Sequence, residues 1–283
     1  MNSRHAERDD YDKTQMIWIH PKYRPSLGAA SSDAYESLAG LAPTDHFVEK
    51  QGRSTGRYVV AATGQSVRFF LKKYFHMSWW QRWLAPLESF PGPRELQNLQ
   101  RAAALGIPVP EPLAAGADRR HACLSLLAVR ELEGHTPLHE FIPARMSLTE
   151  TTEQRVVRRE LTAHIAEIAQ RLHSANLYHC DFYLCHFFIR ESPNFSAAFE
   201  LVLIDLMRLK QSRLARWRIK DLAQLLFSSD LPGITRTDRM RFFKKYLGTR
   251  RLDGNARWLL RRIQRKASLY HRHNESLAQR AAA

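Results

Sequence analysis

The densest group of side chains able to do chemistry is His179-Cys-Asp-Phe-Tyr-Leu-Cys-His186, followed downstream by an acid at the end of an apolar run, Leu203-Ile-Asp205. Two carboxylates arranged in this order suit phosphoryl transfer. One orients an attacking hydroxyl and accepts its proton, and the other holds Mg²⁺ against the phosphates. Here His179-x-Asp181 matches the first half of the pattern H-R-D-x-x-x-x-N. His186 stands five residues after Asp181, where that pattern has Asn, and Asp205 takes the second-carboxylate role. Upstream, Lys72 in a strand and Glu95 in the first turn of a helix match the ion pair that holds nucleotide phosphates in kinases. Each feature is commonplace alone. Their order and the elements that carry them together point to phosphoryl transfer.

The elements that must position these residues follow from periodicity and turn chemistry. Arg57–Ala62 and Val67–Phe75, rich in β-branched and aromatic residues around Thr63-Gly64, read as a hairpin whose second strand carries Lys72. Arg94–Leu105 reads as a helix stopped by Gly106, Ala122–Val129 as a short strand, and Asp33–Gly40 as a short helix with an Asp N-cap. Val157, Leu161, Ile165, Ile168 and Leu172 mark a long helix over Gln154–Ala175. Phe187–Arg190 and Phe199–Leu206 read as an antiparallel pair around a polar loop, Glu191–Ala198. After Asp205 the chain reads as helical, with amphipathic segments at Asp221–Phe227, Arg239–Leu247 and Ala256–His271.

With 283 residues, 44% hydrophobic, the chain can bury a core without disulfides, which excludes a mini-protein scaffold and a disordered chain. Three cysteines, Cys123, Cys180 and Cys185, make no disulfide framework and suit a reducing compartment. Residues 1–15 read as a polar tail, and neither a signal peptide nor a membrane span is expected. The net charge of +15 is concentrated: residues 236–272 hold 13 Lys and Arg against Asp238 and Asp253, and residues 208–220 add six more basic residues with no acid. The rest of the chain is close to neutral, so a negatively charged partner is expected.

Several residues admit plainer roles. Cys180 and Cys185 lack a second ligand pair nearby, so packing is expected rather than zinc binding. His179 is expected to buttress the loop by hydrogen bonding rather than to take part in the chemistry. Asp221 is either a helix N-cap or a carboxylate that braces the catalytic loop. Trp79, Trp80 and Trp83 fit either an interfacial membrane contact or packing within the lobe.

Leu172–Phe187, including His179-Cys-Asp-Phe-Tyr-Leu-Cys-His186, is similar to the catalytic segment of the bacterial lipopolysaccharide core kinases that phosphorylate heptose or Kdo, where a His closes the loop. Leu203–Arg208 and Arg216–Leu225 resemble the two segments that follow it, and Phe70–Lys72, Arg94-Glu95 and Gly106–Pro110 fit that family's N-lobe. The resemblance implies an α+β, two-lobed protein-kinase-like fold, with a small β-rich N-lobe over 46–133 and a mainly helical C-lobe over 134–283, after a tail and short helix over 1–45. It implies ATP and Mg²⁺, with Asp181 as the catalytic base, Asp205 and His186 on the metal, and Lys72 and Glu95 on the nucleotide. Lys50–Arg57 offers Gly52 and Gly56 rather than G-x-G-x-x-G, so phosphate cradling there would also draw on Arg53, Ser54 or Arg57. The implied acceptor is a lipopolysaccharide core or lipid A-linked sugar. The implied location is cytoplasmic, in peripheral contact with the anionic face of the inner membrane, with no nucleic acid. A protein kinase, a small-molecule kinase of the aminoglycoside or choline type, or a non-catalytic basic binding module are the alternatives.

Overall fold

The computed structural model describes residues 14–27, 33–50, 52–62, 65–146, 152–191 and 199–282. The tail before Thr14, the Thr63-Gly64 turn and the polar loop over 192–198 lie outside the described residues. The chain divides into two compact units, one of residues 1–97 and 111–131, the other of 98–110 and 132–283.

The first unit is built on a six-stranded antiparallel sheet in the order β1-β5-β6-β4-β3-β2. β1 (Gln15–Ile19) leads through a single turn, α1 (Arg24–Leu27), and a helix, α2 (Asp33–Gly40), to the strands β2 (Asp45–Lys50), β3 (Arg53–Ala62) and β4 (Gln65–Tyr74). A short helix α3 (Trp79–Leu84) and the helix α4 (Pro91–Ala104) precede β5 (Pro112–Asp118) and β6 (Ser125–Arg130). The hairpin expected from periodicity is β3–β4, in register from Arg53–Tyr74 to Ala62–Gln65. β5 was hidden in the sequence because Leu-Ala-Ala-Gly-Ala has little strand propensity. Tertiary packing demands those small residues: a Cβ on Gly116 would lie 2.8 Å from the Tyr35 ring of α2. Tyr35 is fully buried and donates to Cys123 O (2.6 Å), fastening the helix to the sheet.

Side-chain alternation along β4 sends adjacent lysines to opposite faces. Lys73 donates to Ala39 O and Leu41 O at the C-terminal end of α2 (2.7 and 2.8 Å), and Lys72 faces the other way. α4 starts in this unit, and its residues from Asn98 on belong to the second.

The second unit is mainly helical. β7 (Thr136–Pro137), α5 (Leu138–Arg145) and α6 (Thr152–Ser174) lead into β8 (Leu177–Tyr178), the strands β9 (Phe187–Glu191) and β10 (Phe199–Leu203), and β11 (Lys210–Gln211). Three helices follow: α7 (Ala215–Ser228), α8 (Arg236–Leu247) and α9 (Gly254–Ala282). β10, β9 and β7 form one small antiparallel sheet, and β11 pairs with β8. Leu161, Ile165, Ile168 and Leu172 of α6 are buried, as their spacing requires, with Leu222 and Leu225 of α7 and Phe243 of α8. α9 buries Ala256, Leu259, Ile263 and Ala267 on one stripe and exposes Arg257, Arg261, Arg262 and Arg265 on the other.

α8 starts with a capping box in which Thr235 Oγ1 accepts from Asp238 N and Asp238 accepts from Thr235 N (3.1 and 3.0 Å). Asp238 also takes Arg158 of α6 (3.1 Å) and Arg241 (2.6 Å). Burial pushes its carboxyl pKa up, but the Thr235 hydrogen bonds and the Arg158 charge outweigh this and hold it below the usual range. A depressed folded-state pKa contributes stability that is full above the unfolded value of about 3.9 and is lost as pH falls through the folded value. Asp238→Ala is therefore expected to cost about 1–3 kcal/mol at neutral pH. Denaturant titrations of variant and wild type should converge under acid, and equal stability at neutral pH would contradict this.

Candidate active site

The loop after β8 is held by one face of α7. Asp221 is fully buried; its Oδ2 accepts from His179 N and its Oδ1 from Cys180 N, both at 2.8 Å. Gln224 Oε1 accepts from Phe182 N (3.0 Å), Ser228 Oγ accepts from Leu184 N (3.0 Å), and Lys220 Nζ donates to Cys180 O (2.6 Å). Positions 220, 221, 224 and 228 share one side of a helix, so a single surface receives successive backbone groups of the loop. Of the two roles open to Asp221, the structure shows the brace: it sits well inside α7, which begins at Ala215 after Leu214. Cys180 takes a left-handed backbone (φ +65°), a conformation costing a non-glycine residue about 1–2 kcal/mol, and the amide bonds to Asp221 offset it.

His179 is buried, and burial pushes its pKa down. Its Nε2 lies 3.0 Å from Ile204 O and donates to it, tying the loop to the residue before Asp205. This is the structural role expected for it. Asp205 is itself left-handed (φ +57°), which aspartate tolerates better than most residues. The turn after it is held by Asn98 of α4, whose Nδ2 donates to Leu206 O (2.9 Å).

These constraints bring Asp181, His186 and Asp205 together, with one ligand-type atom from each within 4.8 Å of the others. All three are partly exposed. His186 Nδ1 contacts Asp181 O (2.6 Å), which leaves Nε2 facing Asp205 Oδ2 at 3.9 Å. Burial pulls the imidazole pKa down, but bonding to Cys185 and to the Asp181 carbonyl, with the Asp205 charge, pushes it up to about 9. Arg208, which sequence reasoning did not single out, sets Nη1 3.7 Å from Asp181 Oδ2. The donor set fits a divalent cation: the carboxylates offer the hard oxygens that Mg²⁺ prefers, whereas the imidazole is the softer donor and has only Nε2 to give. Neither Cys180 nor Cys185 joins this group; burial pushes the Cys180 thiol up to about 11.

In the first unit, Lys72 Nζ meets Glu95 Oε1 at 2.6 Å, and Tyr74 OH contacts Glu95 Oε2 at 3.3 Å. Glu95 is 2% exposed, so this ion pair is made largely out of water. Gly52 lies between β2 and β3 in a left-handed conformation (φ +71°), where a Cβ would collide with the His76 ring. Gly56 and Arg53 lie within β3 itself, and Arg53 is exposed. Arg57 is engaged by Glu131 (2.9 Å) and Asp45 (3.1 Å).

Sequence reasoning missed Lys220, Gln224, Ser228, Asn98 and Arg208. For Lys220, Gln224 and Ser228 the available signal was the polar stripe within the apolar α7 segment; Asn98 and Arg208 carried none. Asp221→Asn keeps one amide acceptor and turns an NH₂ group toward the other donor. It should cost about 1–3 kcal/mol in denaturant unfolding and slow turnover through loss of loop position. Unfolding and turnover both at wild-type values would refute the brace.

The family model described as "Lipopolysaccharide kinase (Kdo/WaaP) family" matches residues 42–246. The chain is 31% identical over 274 residues to the lipopolysaccharide core heptose(I) kinase WaaP of Pseudomonas aeruginosa, covering 91% of this chain and 97% of that protein. It is 37% identical over 95 residues to the protein of the same description from Escherichia coli strain K12, covering 32% and 36%. A solved structure described as WaaP in complex with acyl carrier protein matches with a TM-score of 0.68 at 25% identity, over 93% of this chain and 99% of that one. The expected kinase-like fold and the expected resemblance both hold, and the chain belongs to the lipopolysaccharide kinase (Kdo/WaaP) family, ATP-dependent kinases that phosphorylate sugar hydroxyls of the lipopolysaccharide inner core.

Proposed function

We propose that this kinase transfers the γ-phosphoryl group of ATP to a hydroxyl of a core heptose, with Asp181 as the catalytic base. The carrying observation is the Asp181–His186–Asp205 group at the end of a loop braced by α7. The acceptor oxygen attacks the γ-phosphorus as the bond to the β–γ bridging oxygen breaks. ADP leaves, and the hydroxyl proton passes to Asp181. Lys72, held by Glu95, would neutralise phosphate charge, and the exposed Arg53 beside Gly52 and Gly56 would contact the nucleotide. Asp205, with Nε2 of His186, would hold Mg²⁺, which when bound offsets charge on the phosphates.

Cations near the loop suit an anionic acceptor such as a lipid A-linked core sugar. Arg208 faces Asp181, Lys220 contacts the loop backbone, and Lys210 lies in the strand paired with β8. Among the described residues no helix is long and apolar enough to cross a membrane. We propose a cytoplasmic enzyme in peripheral contact with an anionic membrane surface, to which the basic face of α9 contributes.

A carrier protein is a second proposed partner. The second unit holds a cavity of about 620 Å³ lined by apolar groups including Ile142, Leu161, Ile165, Leu225 and Phe243, with Arg158, Arg236 and Arg239 among its lining residues. These features suit an acyl chain delivered on an anionic carrier. Acylated carrier protein should then raise the melting temperature of the full chain, and non-acylated carrier should do so less. Ile165→Trp, which fills the cavity, should abolish the difference, and equal shifts by both carriers would contradict the reading.

Incubation with ATP and heptose-containing core from cells lacking the enzyme should add one phosphate by mass spectrometry; label on protein or amino-alcohols instead would overturn the acceptor assignment. Asp181→Asn should slow turnover by about 10²–10⁴-fold with ATP affinity nearly unchanged, because the shape is kept and the base removed. Asp205→Asn should raise the Mg²⁺ concentration needed for half-maximal rate. His186→Asn, which restores the amide oxygen common in kinases, should keep more activity than His186→Ala.

A further inference from the structure

α3 is a helix without a core. None of its six residues is buried, and Trp79, Trp80, Trp83 and Leu84 are 70%, 66%, 46% and 77% exposed. At 100° per residue these four span an arc of about 140°, with Gln81 and Arg82 on the remaining side. A six-residue helix with no buried face cannot be stable on its own.

Its neighbours supply the support. Met77 before it and Leu87 after it pack with Phe90, Ala117 and Leu124, anchoring both ends in a small apolar cluster. Arg119 donates to Arg82 O and to Ala85 O, the latter at 2.6 Å, and Arg82 Nε donates to Arg119 O (2.6 Å). Arg119 also lies over the Phe90 ring, 5.4 Å from its centroid. Two guanidinium groups thus clamp the end of α3 while its indoles project outward. The arrangement displays apolar groups on a fixed support, and packing within the lobe is not where these side chains go.

We propose that α3 is an interfacial membrane anchor, its Trp79, Trp80, Trp83 and Leu84 seated at the headgroup level of an anionic bilayer. Indole suits that depth because its ring is apolar while its N–H keeps a polar partner. Charge agrees: residues 76–86 contain Arg82 and no acid, and Arg120, next to the clamping Arg119, is exposed. Arg82 lies over the Trp83 ring at 5.7 Å, which places a cation at the edge of the apolar arc. The inference deepens the peripheral attachment proposed above, and its purpose, though not its test, rests on that reading.

The test is co-sedimentation of the full chain with phosphatidylethanolamine/phosphatidylglycerol vesicles at high salt, where the basic face of α9 is screened. Wild type should remain bound, and quenching by brominated lipids should reach its tryptophans. The variant W79S/W80S/W83S should lose about tenfold or more in partitioning, with its melting temperature and its activity on delipidated core oligosaccharide retained. Undiminished partitioning of the variant would overturn the anchor. So would a concentration-dependent dimer without lipid that the variant abolishes, because the occupant would then be a second copy. Core phosphorylation is read separately, so a loss of vesicle binding and a wrong acceptor give different results.

Discussion

The site depends on one buried carboxylate that does no chemistry. Asp221 accepts the amides of His179 and Cys180. Without those acceptors, two buried N–H groups would face apolar surroundings and the left-handed turn at Cys180 would have nothing to offset its cost. Because Asp221 is carried on α7 beside Lys220, Gln224 and Ser228, the loop position is set by a rigid element rather than by the loop's own sequence. A further contact runs from His173 of α6, whose Nε2 lies 3.3 Å from Asp221 and whose Nδ1 meets Tyr246 OH at 2.8 Å. The loop is thereby fixed to the helical core.

With the loop placed, the candidate side chains differ by environment. Asp181 stays partly exposed beside the Arg208 guanidinium. Asp205 and Nε2 of His186 face one another, and the imidazole pKa is pushed up to about 9 by bonding to Cys185 and the Asp181 carbonyl and by the Asp205 charge. In the other unit the Lys72–Glu95 pair is shielded from water, which makes its geometry stringent. Each group thus has its own support: the loop is held by α7, and Lys72 by Glu95.

Much of this was legible beforehand where the signal is local. The β3–β4 hairpin and α6 followed from periodicity, Asp181 and His186 from spacing within a short stretch, and Asp205 from its place at the end of an apolar run. Lys72 and Glu95 could be picked from strand and helix context, though Lys73, its neighbour, was indistinguishable from Lys72 until the pleat sent the two to opposite faces. β5 was not legible, since it is a run of alanines and glycine whose Gly116 is required by the packing of Tyr35.

The amino-acid sequence by itself determined the strongly periodic elements, such as the β3–β4 hairpin and α6, the basic C-terminal surface and the acids that could serve phosphoryl transfer, because periodicity, charge and motif spacing act over neighbouring residues. Tertiary structure alone decided that Asp221 braces rather than caps, that Asn98 holds the turn after Asp205, and that α3 turns its tryptophans outward. Hydrogen-bond partners such as His179 and Asp221 lie 42 residues apart, and nothing in linear order says which distant donor a buried carboxylate will meet.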